Sequence, residues 1–136
     1  MGCFALYTAS RAMTGLYRPV LDELGLTYPQ YLAMTVIWHR GTITVGDLGT
    51  ALDLDSGTLS PLLRRLETQG LVRRERGTHD ERTVWLTSTA NGTELRHRAK
   101  DIPERLACAI DLTRDDYTRL LQLTTRLRAA ATTARL

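Results

Sequence analysis

Between Val45 and Leu86 the spacing of apolar and polar positions changes period more than once, and each change marks an element. Leu59, Leu62, Leu63 and Leu66 recur at i, i+3, i+4 and i+7. That spacing puts them on one buried helix face and leaves Thr58, Ser60, Pro61, Arg64, Arg65 and Thr68 outside. Upstream, Val45, Leu48 and Leu52 form a shorter stripe behind Thr44, whose partner three residues on is Asp47, a capping-box-like start. The two helices meet at Asp53, Leu54 and Asp55. Gly70 falls where a left-handed helix end is wanted, so residues 71–76 read as a strand, 77–81 as a turn and 82–86 as the return strand. Helix, turn, helix, hairpin is the order of a winged helix-turn-helix. Residues 41–44 leave room for a third short strand that pins the wing to its helices.

The flanking chain is helical. Met13, Leu16, Tyr17, Val20, Leu21 and Leu24 repeat at helical spacing over residues 3–24, with a bend and a missing hydrogen bond expected at Pro19 and an end at Gly25. Thr27 caps a second helix with Pro29 in its first turn. Tyr31, Leu32, Met34, Thr35, Ile37 and Trp38 make that helix apolar over most of its circumference, so it belongs at the centre. Beyond the hairpin, residues 87–89 cap a helix that carries Leu95, Ala99 and Ile102 under a polar surface of Arg96, His97, Arg98 and Lys100. Pro103 interrupts it, residues 104–112 continue as helix, and Thr113 with Asp116 caps a last helix carrying Tyr117, Leu120, Leu121 and Leu127. The leucine-rich ends lack enough surface within the chain to cover, which implies a helical dimer interface built from both termini. The fold class expected is mainly α with a small β wing, in one domain over residues 1–136. Residues 43–87 form its winged helix-turn-helix, and residues 1–40 and 88–136 form its dimerisation region.

Composition adds little to that picture and removes some alternatives. The chain has 136 residues and a net charge of +3, a mild hint of a nucleic-acid partner. No apolar run approaches the roughly 20 residues of a membrane span and no signal-peptide series is present, so the chain is read as cytoplasmic with no membrane partner. Met1, Gly2 and Cys3 resemble an acylation site, but Leu6 stands where Ser or Thr is wanted. Only two residues precede Cys3, so the native chain is expected either to begin earlier or to lack an N-terminal arm. His39, His79 and His97 show no metal spacing and read as surface or packing residues. No metal or cofactor is called for. A structural disulfide between Cys3 and Cys108 is not expected in a reducing compartment, which leaves two readings, inert packing sulfurs or a redox pair.

The outward face of the 55–70 helix carries chemistry suited to DNA. Ser56, Thr58 and Ser60 can meet base edges or phosphates beside Pro61, and Arg64 or Arg65 can grip phosphate or a guanine edge. The hairpin adds Arg73, Arg74, Arg76 and Arg82. The six arginines of residues 64–82 face Glu67, Glu75, Asp80 and Glu81, so the stretch is basic only where the acids turn away. Arg82 either pairs with Asp80 to stiffen the turn or enters a minor groove. A solvated charged hairpin is the bland alternative; the order of elements favours DNA.

Several runs carry a more specific signal. These are Cys3-Phe4-Ala5-Leu6-Tyr7 with Ser10-Arg11, Tyr17-Arg18-Pro19, Leu26-Thr27-Tyr28-Pro29-Gln30-Tyr31-Leu32, Leu54-Asp55-Ser56-Gly57-Thr58-Leu59 and Asp80-Glu81-Arg82. Together they closely resemble the MarR family of transcription regulators and, within it, the organic-hydroperoxide-sensing repressors called OhrR, over nearly the whole chain. The resemblance implies that Cys3 is the peroxide-reactive residue and that Tyr17 and Tyr28 hydrogen-bond its sulfur from a neighbouring helix, with Tyr7 a further sensing-site tyrosine. A helix N-terminus and two phenol donors favour the thiolate, which is the nucleophile. The resemblance also makes Cys108 the resolving cysteine of the two-cysteine branch, whose disulfide joins subunits. Phe4, Leu6 and Trp38 are candidates for an apolar wall that prefers alkyl peroxides. The function so implied is a homodimeric repressor that holds an inverted-repeat operator when reduced and releases it when an organic hydroperoxide oxidises Cys3. The rivals are a ligand-responsive regulator with incidental cysteines and a thiol peroxidase; an enzyme would not need the DNA-reading unit.

Overall fold

The computed structural model describes residues 1–135 and divides into two compact units, residues 1–102 and residues 103–136. The first holds α1 (Gly2–Leu24), α2 (Tyr28–Arg40), β1 (Thr42–Thr44), α3 (Val45–Leu52), α4 (Ser56–Thr68), β2 (Val72–Arg76), β3 (Val84–Ser88) and α5 (Ala90–Ala99). A short helix α6 (Ile102–Ala109) begins at the boundary, and α7 (Arg114–Thr133) makes up most of the second unit. The strands form one antiparallel sheet in the order β1-β3-β2, so the wing hairpin is pinned by the strand before α3 as the sequence predicts.

The elements start where local chemistry lets them. Thr27 accepts the Gln30 N–H while the Gln30 side chain accepts the Thr27 N–H at 2.8 Å, a complete capping box that also satisfies a buried glutamine. Thr44, Thr89 and Thr113 accept from Asp47, Gly92 and Asp116 in the same way. α1 runs through Pro19 as one element and ends at Gly25, whose φ of 68° is the left-handed conformation that glycine adopts without penalty. Ala33, Met34 and Ile37 of α2 are fully buried, and α2 packs on α1, α3, α4, α5, β1 and β3, the central place its apolar girth predicts. Leu48 of α3, Leu59, Leu62, Leu63 and Leu66 of α4, and Ile43, Val72 and Leu86 of the sheet complete this core.

Several boundaries differ from expectation. β2 starts at Val72, and the break after α5 falls at residues 100–101, so that Pro103 stands in the first turn of α6 rather than interrupting a helix. Two further differences have a visible cause. The return strand starts at Val84 rather than at residue 82, because Asp80 organises a longer turn. Its carboxylate accepts the Arg82 N–H at 3.0 Å, its carbonyl accepts the Thr83 N–H at 3.1 Å, and the Gly77 N–H closes the loop on the Thr83 carbonyl at 2.8 Å. α6 stops at Ala109 instead of residue 112, since the Leu112 N–H turns back to the Ile110 carbonyl at 2.8 Å.

Candidate nucleic-acid interface and thiol sites

α4 presents the surface that its leucine period implies. Ser56, Thr58, Ser60, Pro61, Arg64 and Arg65 are all exposed, opposite the four buried leucines. The helix is started by Asp55, whose Oδ1 accepts the Thr58 N–H at 2.7 Å. The Thr58 backbone N–H and then its hydroxyl hold this exposed carboxyl below its ordinary value of 3.8. From the sequence Asp55 was placed only at the junction of the two helices, although its position just before the helix is the signal of a cap. Gly49 lets α3 approach: a Cβ there would stand 3.1 Å from the Leu54 carbonyl oxygen and 3.3 Å from Leu59 Cδ2.

The six arginines of this stretch are not equivalent. Arg73 Nε lies 2.8 Å from Glu75 Oε1 on the same strand, an exposed pair. Arg74 is half-buried, with Nε 2.7 Å from Glu67 Oε2, a close charge contact between wing and α4 in which the N–H is not aligned on the carboxylate. Arg76 reaches the Glu81 carbonyl at 3.4 Å and braces the turn. Asp80 stiffens that turn through the backbone N–H of Arg82 rather than through its guanidinium, which corrects the side-chain pairing considered from the sequence. Arg64, Arg65 and Arg82 are exposed and form no ion pair among the described residues. Glu67 is the partner that sequence reading missed, because it meets Arg74 only once β2 folds back beside α4.

Cys3 sits in the first turn of α1, exposed and unbonded, and Met1 caps that helix with no side-chain hydrogen bond. Tyr7 follows one turn later on the same face, and the Arg11 guanidinium lies 5.8 Å from the Tyr7 ring centroid, which adds Arg11 to this face. Tyr17 and Tyr28 are brought together across α1 and α2, ring centroids 5.0 Å apart at 57°, with Tyr31 at 5.7 Å from Tyr17. Burial pushes the Tyr31 phenol up from its ordinary value. The tyrosine cluster and Cys3 do not meet within this chain: fourteen residues of one continuous helix put Cys3 about 21 Å from Tyr17 along the axis. Cys108 is exposed and unbonded on α6. Trp38 is half-buried, and its Nε1 donates to the Gly92 carbonyl at 2.9 Å, which ties α2 to α5. Among the described residues no cluster of acidic, His and Cys side chains could hold a metal, and no helix is long and apolar enough to cross a membrane.

The large exposed apolar side chains concentrate on two helices. α1 shows Phe4, Leu6, Tyr7, Met13 and Leu16; α7 shows Tyr117, Leu120, Leu121, Leu123 and Leu127.

Residues 15–99 match the family model described as transcriptional regulator SarA/Rot. The organic hydroperoxide resistance transcriptional regulator of Bacillus subtilis (strain 168) is 52% identical over 101 residues, 74% of this chain and 69% of that protein. The solved structure of reduced AbfR bound to DNA superposes with a TM-score of 0.83 at 31% identity, covering 96% of this chain and 89% of that one. A disulfide-formed AbfR structure superposes with a TM-score of 0.69 at 33% identity, covering 92% and 88%.

Proposed function

The chain belongs to the SarA/MarR-type family of transcription regulators and is OhrR-like within it, and from that premise we propose that it is a homodimeric repressor released from its operator by organic hydroperoxides. The dimer places α4 of each subunit in successive major grooves of an inverted repeat, about one turn or ~34 Å apart. Arg64, Arg65 and Arg82, which form no ion pair among the described residues, are the first candidates for DNA contact. Arg76, whose contact with the Glu81 carbonyl is 3.4 Å long, is a further candidate. Arg73 pairs with Glu75 at the surface, and Arg74 lies half-buried against Glu67. As a regulator of bacterial type acting on DNA, it works in the cytoplasm.

The chemistry runs in two steps. The Cys3 thiolate attacks one oxygen of the hydroperoxide; the O–O bond breaks, the alkoxide leaves and takes up a proton, and the sulfur is left as a sulfenic acid. The thiol of Cys108 in the partner subunit then attacks that sulfur, the S–S bond forms and water leaves. Tyr17 and Tyr28 donate to the Cys3 sulfur from the partner subunit, because the length of α1 keeps them from it within one chain. The observation that carries this reading is Cys3, exposed and unbonded on α1 of a chain 52% identical over 101 residues to the organic hydroperoxide resistance transcriptional regulator of Bacillus subtilis. Oxidation lowers operator affinity by biasing the spacing of the two reading heads, a coupling of the usual size of about 1–3 kcal/mol.

The test is one titration read two ways. The reduced protein on an operator duplex receives one equivalent of cumene hydroperoxide; DNA release is followed by anisotropy, and the same samples run on a non-reducing gel. A dimer-sized band is expected in wild type and absent in Cys108→Ser, and Cys3→Ser is expected to stay on DNA. Release of DNA by peroxide from Cys3→Ser would sink the sensor assignment. Repeated turnover of peroxide with a thiol reductant, without DNA affinity, would point to the peroxidase instead.

A further inference from the structure

The C-terminus of α1 is a poor helix end by its own sequence. Asp22 and Glu23 occupy its last turn, where no basic residue stands, so two anions face the negative end of the helix dipole. Gly25 closes part of it, with the Gly25 N–H on the Asp22 carbonyl at 3.2 Å and the Leu26 N–H on the Leu21 carbonyl at 3.1 Å. The Glu23 and Gly25 carbonyls are taken by side chains from elsewhere in the chain. Arg98, in the last turn of α5, donates from Nη2 to the Glu23 carbonyl at 3.0 Å. Gln69, the C-cap of α4, donates from Nε2 to the Gly25 carbonyl at 2.9 Å.

The two donors belong to one block. The Thr89 N–H bonds the Leu71 carbonyl at 3.0 Å, the Thr89 hydroxyl bonds the Gly70 carbonyl, and Gly92 lies so close to the Leu71 carbonyl that a Cβ would collide with it. The end of α4 and the start of α5 are welded by these contacts, while α4 also packs on α2 and β2 and meets α3 at Leu59, and α5 also packs on α1 and α2. Between this block and the end of α1 runs an open crevice of about 470 Å³, lined by Leu24, Leu71, Asn91 and Leu95 and bridged by Gln69 and Arg98. Both bridging side chains are exposed to water, so neither bond is a fixed part of the core.

We propose that Gln69 and Arg98 form a latch that sets the angle of the DNA-reading block on α1, and so the spacing of the two reading heads in the dimer. They are positioning residues for operator binding. This rests on the DNA-binding part of the function proposed above and not on its redox part. The block also meets α1 through the packed side chains of α5 and α2, so the latch acts in addition to that packing. A side-chain bond across a crevice is remade at another angle more readily than a packed interface.

The test uses the full-length reduced protein and an operator that wild type selects from a random duplex pool. Affinity is measured for that operator and for versions with the half-site spacing changed by one base pair. Wild type is expected to discriminate against the altered spacings by about tenfold or more, since the heads are held to the helical repeat. Gln69→Ala with Arg98→Ala is expected to bind the native spacing about three to tenfold more weakly, because the freed block must then be set to that spacing on the DNA. Its discrimination should fall toward none, with helix content by circular dichroism unchanged. Arg98→Lys, which keeps a donor and the charge, is expected to keep most of the discrimination that Arg98→Ala loses. Wild-type discrimination in the double variant overturns the latch. So does loss of helix content in both the double variant and Gln69→Ala alone, which assigns the bonds to folding. A wild-type chain that selects no duplex overturns the DNA reading itself, a result separate from either of these.

Discussion

Gly92 is the position where a single methyl group has the largest consequence. Its Cα faces the Leu71 carbonyl and Ser88 Oγ at the start of α5, and its own carbonyl accepts Trp38 Nε1. Gly92→Ala must push apart the joint between α4, the wing and α5, and is expected to destabilise by about 1–3 kcal/mol, as overpacking does. Gly46 in the first turn of α3 is the control, because a Cβ there meets nothing nearer than Thr44 Oγ1 at 4.0 Å. Gly46→Ala is expected to be neutral or to stabilise by up to about 1 kcal/mol. Urea unfolding of both variants at one fixed protein concentration separates the two cases. Asp55 gives the residue scale a pH dependence. Its carboxyl is depressed below 3.8 by the donors of Thr58, so the folded chain gives up this proton more readily than the unfolded one. The cap therefore stabilises fully above pH 3.8 and is lost as the pH falls through the lowered value. Asp55→Ala should unfold at lower urea than wild type at pH 7, and the gap should narrow in acid. Asp55→Asn, which keeps an acceptor, should lie near wild type at pH 7 without that acid dependence.

At the level of elements, the faces of the helices were readable in advance and the ties between elements were not. The four leucines of α4, the girth of α2 and the caps at Thr27, Thr44 and Thr113 depend on neighbours within one turn, so their spacing reports them directly. The start of β3 depended on Asp80 gathering three donors from Arg82 and Thr83 in the turn, and the Arg74 contact depended on β2 lying beside Glu67. Neither has a period. Sequence therefore grouped Arg74 with Arg64 as DNA-binding arginines, and the fold gives them different surroundings. This difference is measurable. Arg64→Ala is expected to weaken operator binding and to lower the slope of log affinity against log salt by about one, the mark of a lost phosphate contact. Arg74→Ala is expected to leave that slope unchanged and to lower the unfolding midpoint, because it removes the partner of Glu67 between wing and reading helix. Anisotropy titrations at four salt concentrations decide between the two behaviours for each residue.

For the whole molecule the decisive length is that of α1. Cys3 and Tyr17 share one unbroken helix, so no rearrangement of side chains brings the sulfur to the Tyr17 and Tyr28 pair while that helix persists. The apolar side chains exposed on α1, Phe4 and Leu6 beside Cys3 and Met13 and Leu16 beside Tyr17, are the kind of surface a second copy covers. An antiparallel approach of two such helices would set the Cys3 end of each against the tyrosine end of the other. Mixed dimers test this without any structure of the complex. One subunit carries Cys3→Ser; the other keeps Cys3 but carries Tyr17→Phe and Tyr28→Phe. If the phenols act across subunits, the surviving Cys3 still meets intact tyrosines, and the mixed dimer keeps about half of the fast-reacting thiol of wild type. If they act within a chain, no intact site remains and the fast phase disappears. Stopped-flow oxidation of tagged, purified mixed dimers, compared with both parent homodimers, reads the difference as an amplitude. A rate change alone would reflect the phenols' donor strength, whereas the amplitude counts complete sites. A mixed dimer without a fast phase would therefore reject the two-chain sensor even if both parents bind DNA normally.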